Sequence, residues 1–248
     1  MSQCAGLGHC RQPPYTPWRW PPGRGLGYNR RMARIHEAPV RRPADHPELR
    51  GALTELISKS AAMGLLASEV ATAVDRATIG KVLDALRTQR LGRDANIHLA
   101  PLLRDGIDQL DSAVAATMTQ KVRDLSEALS QSPAPATEWS SMRQTLGDDA
   151  LAGLVEISLA SLRRYVSGER ATPQPVAERL HWIAMVAADL AGSYNEFGIR
   201  RWFERPRQQL RGKSPRQLLK ANWTPDSAEA LRIKELSAAL LGAQPLAA

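Results

Sequence analysis

Cysteine is nearly absent from this sequence of 248 residues. Its two cysteines, Cys4 and Cys10, both lie in the first ten residues, so disulfides cannot cross-link the rest of the chain. Cys4, His9 and Cys10 offer three potential metal ligands, but no second ligand pair completes a zinc site. We therefore interpret both cysteines as free thiols and expect no bound metal.

The sequence also lacks the residue patterns of a catalytic site. It has five histidines, of which His98 and His181 are isolated, and no two have the spacing of metal ligands on a helix. The glycine-rich GRGLG near the start has neither the preceding strand nor the following helix of a phosphate-binding loop. We expect the protein not to be an enzyme and to use no cofactor.

Long hydrophobic runs are missing too. The longest, Trp182–Leu190, is interrupted by Asp189 and is far shorter than the roughly 20 residues that a membrane-spanning helix needs. No apolar core of a secretory signal precedes Arg11 and Pro13. These absences predict a cytoplasmic, nucleoid-associated protein that does not interact with membranes.

What the sequence does have is positive charge and strong helix formers. The formal net charge is +8, which suits a polyanion or an acidic protein as partner. Alanine, leucine and arginine dominate, and they favour helices over sheets. We predict an all-α protein with an N-terminal helical bundle, a helix-turn-helix domain and a small helical C-terminal domain.

Residues 1–45 are rich in glycine, proline and arginine. This composition cannot bury a core, so we predict a disordered basic tail. Met32 is a second plausible start of translation. A nucleic-acid contact is the alternative function of the tail, because it interleaves aromatic and basic side chains: Trp18, Arg19, Trp20, Arg24, Arg30 and Arg31.

Residues 46–129 show the apolar spacing of amphipathic helices and are predicted to form a helical domain. Within it, Leu65–Leu91 permits two short helices with a tight joint, the second capped by Asp75 or Thr78. This arrangement leaves open a second DNA-binding unit beside an ordinary bundle. The segment SQSPAPAT at residues 130–137 has no large apolar residue and is predicted to be a semi-extended linker.

Residues 138–196 carry the pattern of a helix-turn-helix. We predict helices over Trp139–Leu146, from a cap at Asp148, and over Leu159–Ser167 after a Glu156–Ser158 turn. Ser158 is the predicted N-cap of the last of these, and Gly168 follows its C-terminus. A further helix with Val176, Leu180, Ile183 and Val186 closes the predicted core.

The order of residues in this segment resembles the Xre-type helix-turn-helix family. The residues that carry the resemblance are Leu151, Ala152, Leu154, Ile157, Ser158, Ser161, Leu162, Arg164, Tyr165 and Ser167–Arg170. The resemblance implies that the helix over Ser158–Ser167 lies in the major groove of DNA. The DNA-binding residues would be Ser158, Ser161, Arg163, Arg164 and Arg170.

Residues 197–248 form the last predicted unit, in which eight basic residues between Arg200 and Lys220 face one acid, Glu204. Its Trp202–Phe203, Pro206, Leu210, Gly212, Ser214–Pro215 and Leu218–Leu219 resemble the toxin-binding domain of Xre/MbcA/ParS antitoxins. Ser214–Pro215 is also a helix start. The expected partner-binding or dimerisation residues are Arg200, Arg201, Trp202, Phe203, Arg207, Leu210, Arg211, Lys213 and Leu218.

The resemblance implies a homodimeric type II antitoxin that neutralises a RES-type toxin and represses its own operon. Its DNA partner would be double-stranded. The alternatives are a transcriptional regulator without a toxin and a nucleoid-type binder with little sequence preference.

Overall fold

The computed structural model describes residues 46–66, 74–89, 99–220 and 222–241. All of them belong to one compact unit, Arg41–Ala248. This part of the chain is helical and contains no β-strand, only an isolated bridge between Arg207 and Lys213. The all-α prediction is therefore confirmed. No helix in the described ranges is long and apolar enough to cross a membrane.

Eleven α-helices are defined within these ranges. The N-terminal helices are α1 (Pro47–Ala62), α2 (Arg76–Thr88), α3 (Ala100–Asp105) and α4 (Ser112–Ser130). The central ones are α5 (Pro135–Leu146), α6 (Asp148–Val155), α7 (Leu159–Val166) and α8 (Gln174–Ala191). The last ones are α9 (Glu196–Glu204), α10 (Pro215–Leu218) and α11 (Ala228–Leu241), with 3-10 turns at Ile107–Gln109 and Gln208–Leu210.

Helix α8 is the centre of the packing. Every residue from Arg179 to Leu190 is buried, which explains the apolar run that stands out in the sequence. Helix α8 contacts α1, α4, α5, α6, α9 and α11. The segments predicted as separate domains, 46–129, 138–196 and 197–248, therefore contribute to one continuous hydrophobic core.

The predicted linker at residues 130–137 is shorter than expected. Ser130 ends α4 and Pro135 begins α5, so four residues connect the two helices. Proline stops a helix in its interior but fits its first turn, and Pro135 occupies that first turn. Helix α5 thus begins at Pro135 and not at Trp139, which was its predicted first residue.

The structure corrects one predicted cap and decides between the two alternatives for another. Asp148 is the first residue of α6, and its N-cap is Gly147, with φ of 80°. Asp75, rather than Thr78, caps α2, because its carboxylate accepts the Thr78 backbone N–H at 2.7 Å. Residues 67–73, on which the alternative second helix-turn-helix depends, lie outside the described residues. So do Cys4, His9, Cys10 and the basic tail.

Candidate nucleic-acid interface

Helices α6 and α7 are joined by three residues, Glu156–Ser158. The Oγ of Ser158 accepts the backbone N–H of Ser161 at 3.1 Å, as expected of the predicted N-cap. Ala152, on α6, is 4% exposed, and its carbonyl accepts the Ile157 N–H at 3.0 Å. A tight turn with a short capped helix therefore stands where the sequence predicted it.

Glu156 has a left-handed backbone at the end of α6, with φ of 58° and ψ of 50°. A side chain makes this conformation costly, so glycine usually occupies such positions. Here the carboxylate has partners: Oε2 accepts the Asn222 N–H at 2.7 Å and lies 3.4 Å from Nη1 of Arg179. These contacts offset the backbone strain and connect the turn to the C-terminal region.

Arg179 and Trp223 satisfy backbone groups at the C-terminus of α6. Arg179 is 8% exposed and donates from Nε to the Trp223 carbonyl at 2.8 Å and from Nη1 to the Val155 carbonyl at 3.3 Å. The Trp223 indole donates to the Leu154 carbonyl at 2.9 Å. The last carbonyls of a helix have no partner within it, so these contacts fix the end of α6.

The inward face of α7 is formed by Leu162 and Tyr165. Leu162 is fully buried, and Tyr165 stacks on Trp139 with ring centroids 5.9 Å apart. Trp139 is in turn held by a hydrogen bond from Nε1 to the Thr172 hydroxyl at 2.9 Å. This packing fixes how α7 is rotated about its own axis.

The outward face of α7 carries arginines. Arg163 and Arg164 are exposed, and within the described residues no hydrogen bond or ion pair occupies either guanidinium group. Arg170 is exposed after the helix, with its guanidinium 5.8 Å from the Tyr165 ring centroid. Ser158 and Ser161 lie at the start of α7, and their hydroxyls are 3.0 Å apart. The predicted DNA-binding residues thus lie along α7 and directly before and after it, and its three arginines are exposed.

Asp148, the first residue of α6, is an acidic residue on which the charge of Arg163 acts. Arg143 donates two hydrogen bonds to its carboxylate, at 2.7 and 3.1 Å. These bonds, together with the charges of Arg143 and Arg163, lower the pKa of Asp148. The carboxylate stays ionised and is neutralised mainly by Arg143, which leaves Arg163 available to an outside anion.

Three of the residues predicted to bind a partner lie in the core. Trp202 and Phe203 are each 1% exposed and Leu210 is 2% exposed, so the expectation that they contact a partner directly is wrong. Trp202 and Phe203 follow two arginines in α9, which packs on α5, α8 and α10, whereas Leu210 lies in the 3-10 turn after it. The local sequence shows that α9 has an apolar face, but it does not show which part of the chain covers that face.

The basic residues of the same prediction differ in their surroundings. Arg200 donates to the backbone carbonyls of Thr145 and Gln144 at the end of α5, so it has a structural contact. The Arg207 guanidinium is half-buried over the Trp202 ring, and burial lowers its pKa. Arg201, Arg211 and Lys213 are exposed, and Leu218 is half-buried.

His181, which looks isolated in the sequence, has both ring nitrogens engaged. Nδ1 lies 2.6 Å from Oε1 of the fully buried Glu138, and Nε2 lies 2.9 Å from the Ser130 carbonyl. These contacts join α4, α5 and α8. The sequence gives no signal for them, because the partners of His181 are distant along the chain.

Within the described residues, no group of three or more His, Cys, Asp or Glu side chains could hold a metal ion. Comparison with protein-family models, curated proteins and solved structures finds no match for this chain.

Proposed function

We propose that this chain is a sequence-specific DNA-binding protein that inserts α7 into the major groove and represses transcription. The observation that carries the proposal is the pair Arg163 and Arg164, exposed and unpaired within the described residues, on a short helix whose other face is buried. A helix held by its cap and core can present such side chains without deforming.

Each residue of the motif has a role in this proposal. Arg164 or Arg163 donates to O6 and N7 of guanine, the commonest specific contact in the major groove. Arg170, beyond the end of α7, contacts a phosphate and sets the register on the duplex. Ser158 and Ser161, at the helix start, contact base edges or phosphates through their hydroxyls.

Helix-turn-helix proteins commonly bind as dimers to two half-sites about 34–36 Å apart. We accordingly propose a homodimer on a two-fold symmetric operator. The direct test is selection of duplexes from a random-sequence pool by the full-length protein. The proposal predicts an enriched motif with two inverted half-sites; recovery of unrelated sequences would contradict it and favour nucleoid-type binding.

Toxin neutralisation is the second candidate, and the exposed Phe197 favours it. This ring is 62% exposed at the start of α9, beneath the guanidinium of Arg201 at 5.5 Å, and exposed aromatics are typical anchors of protein interfaces. Co-expression with the product of the adjacent gene tests it. Rescue from toxicity by the wild type but not by Phe197→Ser supports this function, and toxicity unaffected by the wild type contradicts it.

A further inference from the structure

A second set of exposed cations lies in a groove formed by the Arg207–Lys213 loop, α10 and α11. Two adjoining hollows of about 230 and 420 Å³ share Lys213, Leu218 and Glu229 in their walls. Arg211 and Arg232 line the first hollow, and Lys220 lines the second. We refer to these four basic residues and Glu229 as the cationic groove.

Glu229 is the acidic residue that lines the groove, and it forms no salt bridge with the four cations. Arg211, Lys213, Lys220 and Arg232 are exposed, and no ion pair involves them in the described ranges. The nearby acid Glu204 pairs instead with Arg216, at 2.5 Å. Clustered like charges create a positive potential that an anionic partner relieves.

The backbone that carries two of these cations is fixed. The Arg207 N–H donates to the Lys213 carbonyl at 3.0 Å, and the Lys213 N–H donates to the Leu210 carbonyl at 3.1 Å. Leu210 anchors the loop in the core, and Ser214 with Gln217 forms a capping box immediately after it. Arg211 and Lys213 therefore extend from a loop that needs little ordering when an anion binds.

The cationic groove is next to the DNA-binding motif. Asn222, which lies in its wall, donates its N–H to Glu156 in the α6–α7 turn. The guanidinium of Arg216, on α10, lies against Gly153 of α6. A Cβ atom added to this glycine would be only 2.9 Å from Nη2 of Arg216. The cationic groove therefore adjoins α6 and the α6–α7 turn within the same compact unit.

The composition of the groove favours a phosphate backbone over an acidic protein. The large apolar side chains that are exposed in the described residues are Leu159, Tyr194, Phe197 and Leu231, and none of them lines the groove. Protein interfaces centre on apolar and aromatic residues, whereas phosphate contacts need only placed cations and polar groups. We infer that the cationic groove binds phosphates of the DNA that flanks the segment read by α7, an inference that rests on the proposed function.

The salt dependence of binding tests this inference. The probe is a labelled duplex of about 30 base pairs, long enough for two half-sites, that carries the sequence enriched by the wild-type protein. Each phosphate contact adds about 0.9 to the slope of log K against log salt concentration, measurable from about 50 to 200 mM. The variant Lys213→Gln/Lys220→Gln removes two contacts from each protomer of the dimer, so it should lower the magnitude of that slope by about 3.6 while keeping the same preferred sequence.

The matched control is Lys81→Gln/Lys121→Gln, which removes the same charge from α2 and α4 and should leave the slope unchanged. Far-UV circular dichroism checks that both variants fold. If selection with the wild type enriches a sequence but both double variants show the wild-type slope of log K against log salt concentration, the cationic groove does not bind DNA. The proposed function then still stands. If the wild type enriches no sequence, the proposed function fails and this inference fails with it.

An acidic polypeptide as the true ligand gives a different result. Labelled poly-L-glutamate would then bind the wild type and not Lys213→Gln/Lys220→Gln, while the DNA slope of that variant stayed at the wild-type value. That combination would overturn the inference and assign the groove to an acidic protein partner.

Discussion

The indole Nε1 of Trp223 donates a hydrogen bond of 2.9 Å to the carbonyl oxygen of Leu154, in the last turn of α6. Trp223 itself is 5% exposed and meets Trp182 edge to face. The geometry of the α6–α7 turn therefore depends on a side chain in the C-terminal region. Stability and DNA binding should both respond when this contact is removed.

Trp223→Phe keeps an aromatic ring but removes the N–H donor. The Leu154 carbonyl then stays buried without its partner, which costs about 1–3 kcal/mol. We expect a lower urea midpoint of unfolding and weaker specific DNA binding. Phe197→Leu, at an exposed position, is the control and should change stability by no more than about 0.5 kcal/mol. Equal midpoints for Trp223→Phe and the wild type would show that this hydrogen bond does not stabilise the turn.

Glu156 allows its backbone strain to be separated from its side-chain contacts. Glu156→Ala removes the acceptor of the Asn222 N–H and the ion pair with Arg179, a loss of about 1.5–3 kcal/mol. Glu156→Gly loses the same contacts but relieves the left-handed backbone. The glycine variant should be about 1 kcal/mol more stable than the alanine variant. Thermal unfolding measures the difference, and the reverse order would refute the left-handed conformation at Glu156.

Asp148 should make the stability of the protein depend on pH. Its pKa is lowered chiefly by the hydrogen bonds from Arg143. A carboxyl whose pKa is lower in the folded state adds stability above its unfolded pKa of about 4, and that stability is lost as pH falls through the folded value. Asp148→Asn should therefore be less stable than the wild type near neutral pH, with the gap closing in acid.

Asp149→Asn is the matched control for this prediction. Asp149 lies in the same first turn of α6 and is exposed, so the substitution removes the same charge without removing the Arg143 contact. Urea unfolding at several pH values gives the comparison. A gap between Asp148→Asn and the wild type that stays constant down to strongly acidic pH would contradict the proposed role of the ion pair.

The local features of the motif could be predicted from the sequence because they depend on neighbouring residues. Ser158 caps α7 through a residue three positions later, and the inward face of the helix follows from the spacing of Leu162 and Tyr165. Helix α8, which closes the core, also lies where the apolar pattern around Leu180 and Ile183 predicts it. Capping and periodicity act within a few residues and are visible in a sequence.

The remaining features arise from contacts between distant residues. Glu156 offers no local reason to adopt a left-handed backbone; its partners Arg179 and Asn222 come from elsewhere in the chain. Trp202 and Phe203 look like an apolar surface for a partner, but α9 packs them into the core of this chain itself. An apolar stripe in a sequence shows that one face of a helix is covered, but it does not show whether the same chain or a partner covers it.

The central claim is that α7 reads DNA, and Arg164→Ala tests it most directly. Measured by fluorescence anisotropy on the duplex enriched by the wild type, this variant should bind more weakly by about 1–3 kcal/mol for each half-site and lose its preference at one base pair of each half-site. Arg201→Ala, which removes an exposed arginine from α9, should retain both the affinity and the preference. Wild-type affinity and preference in both Arg164→Ala and Arg163→Ala would contradict the claim.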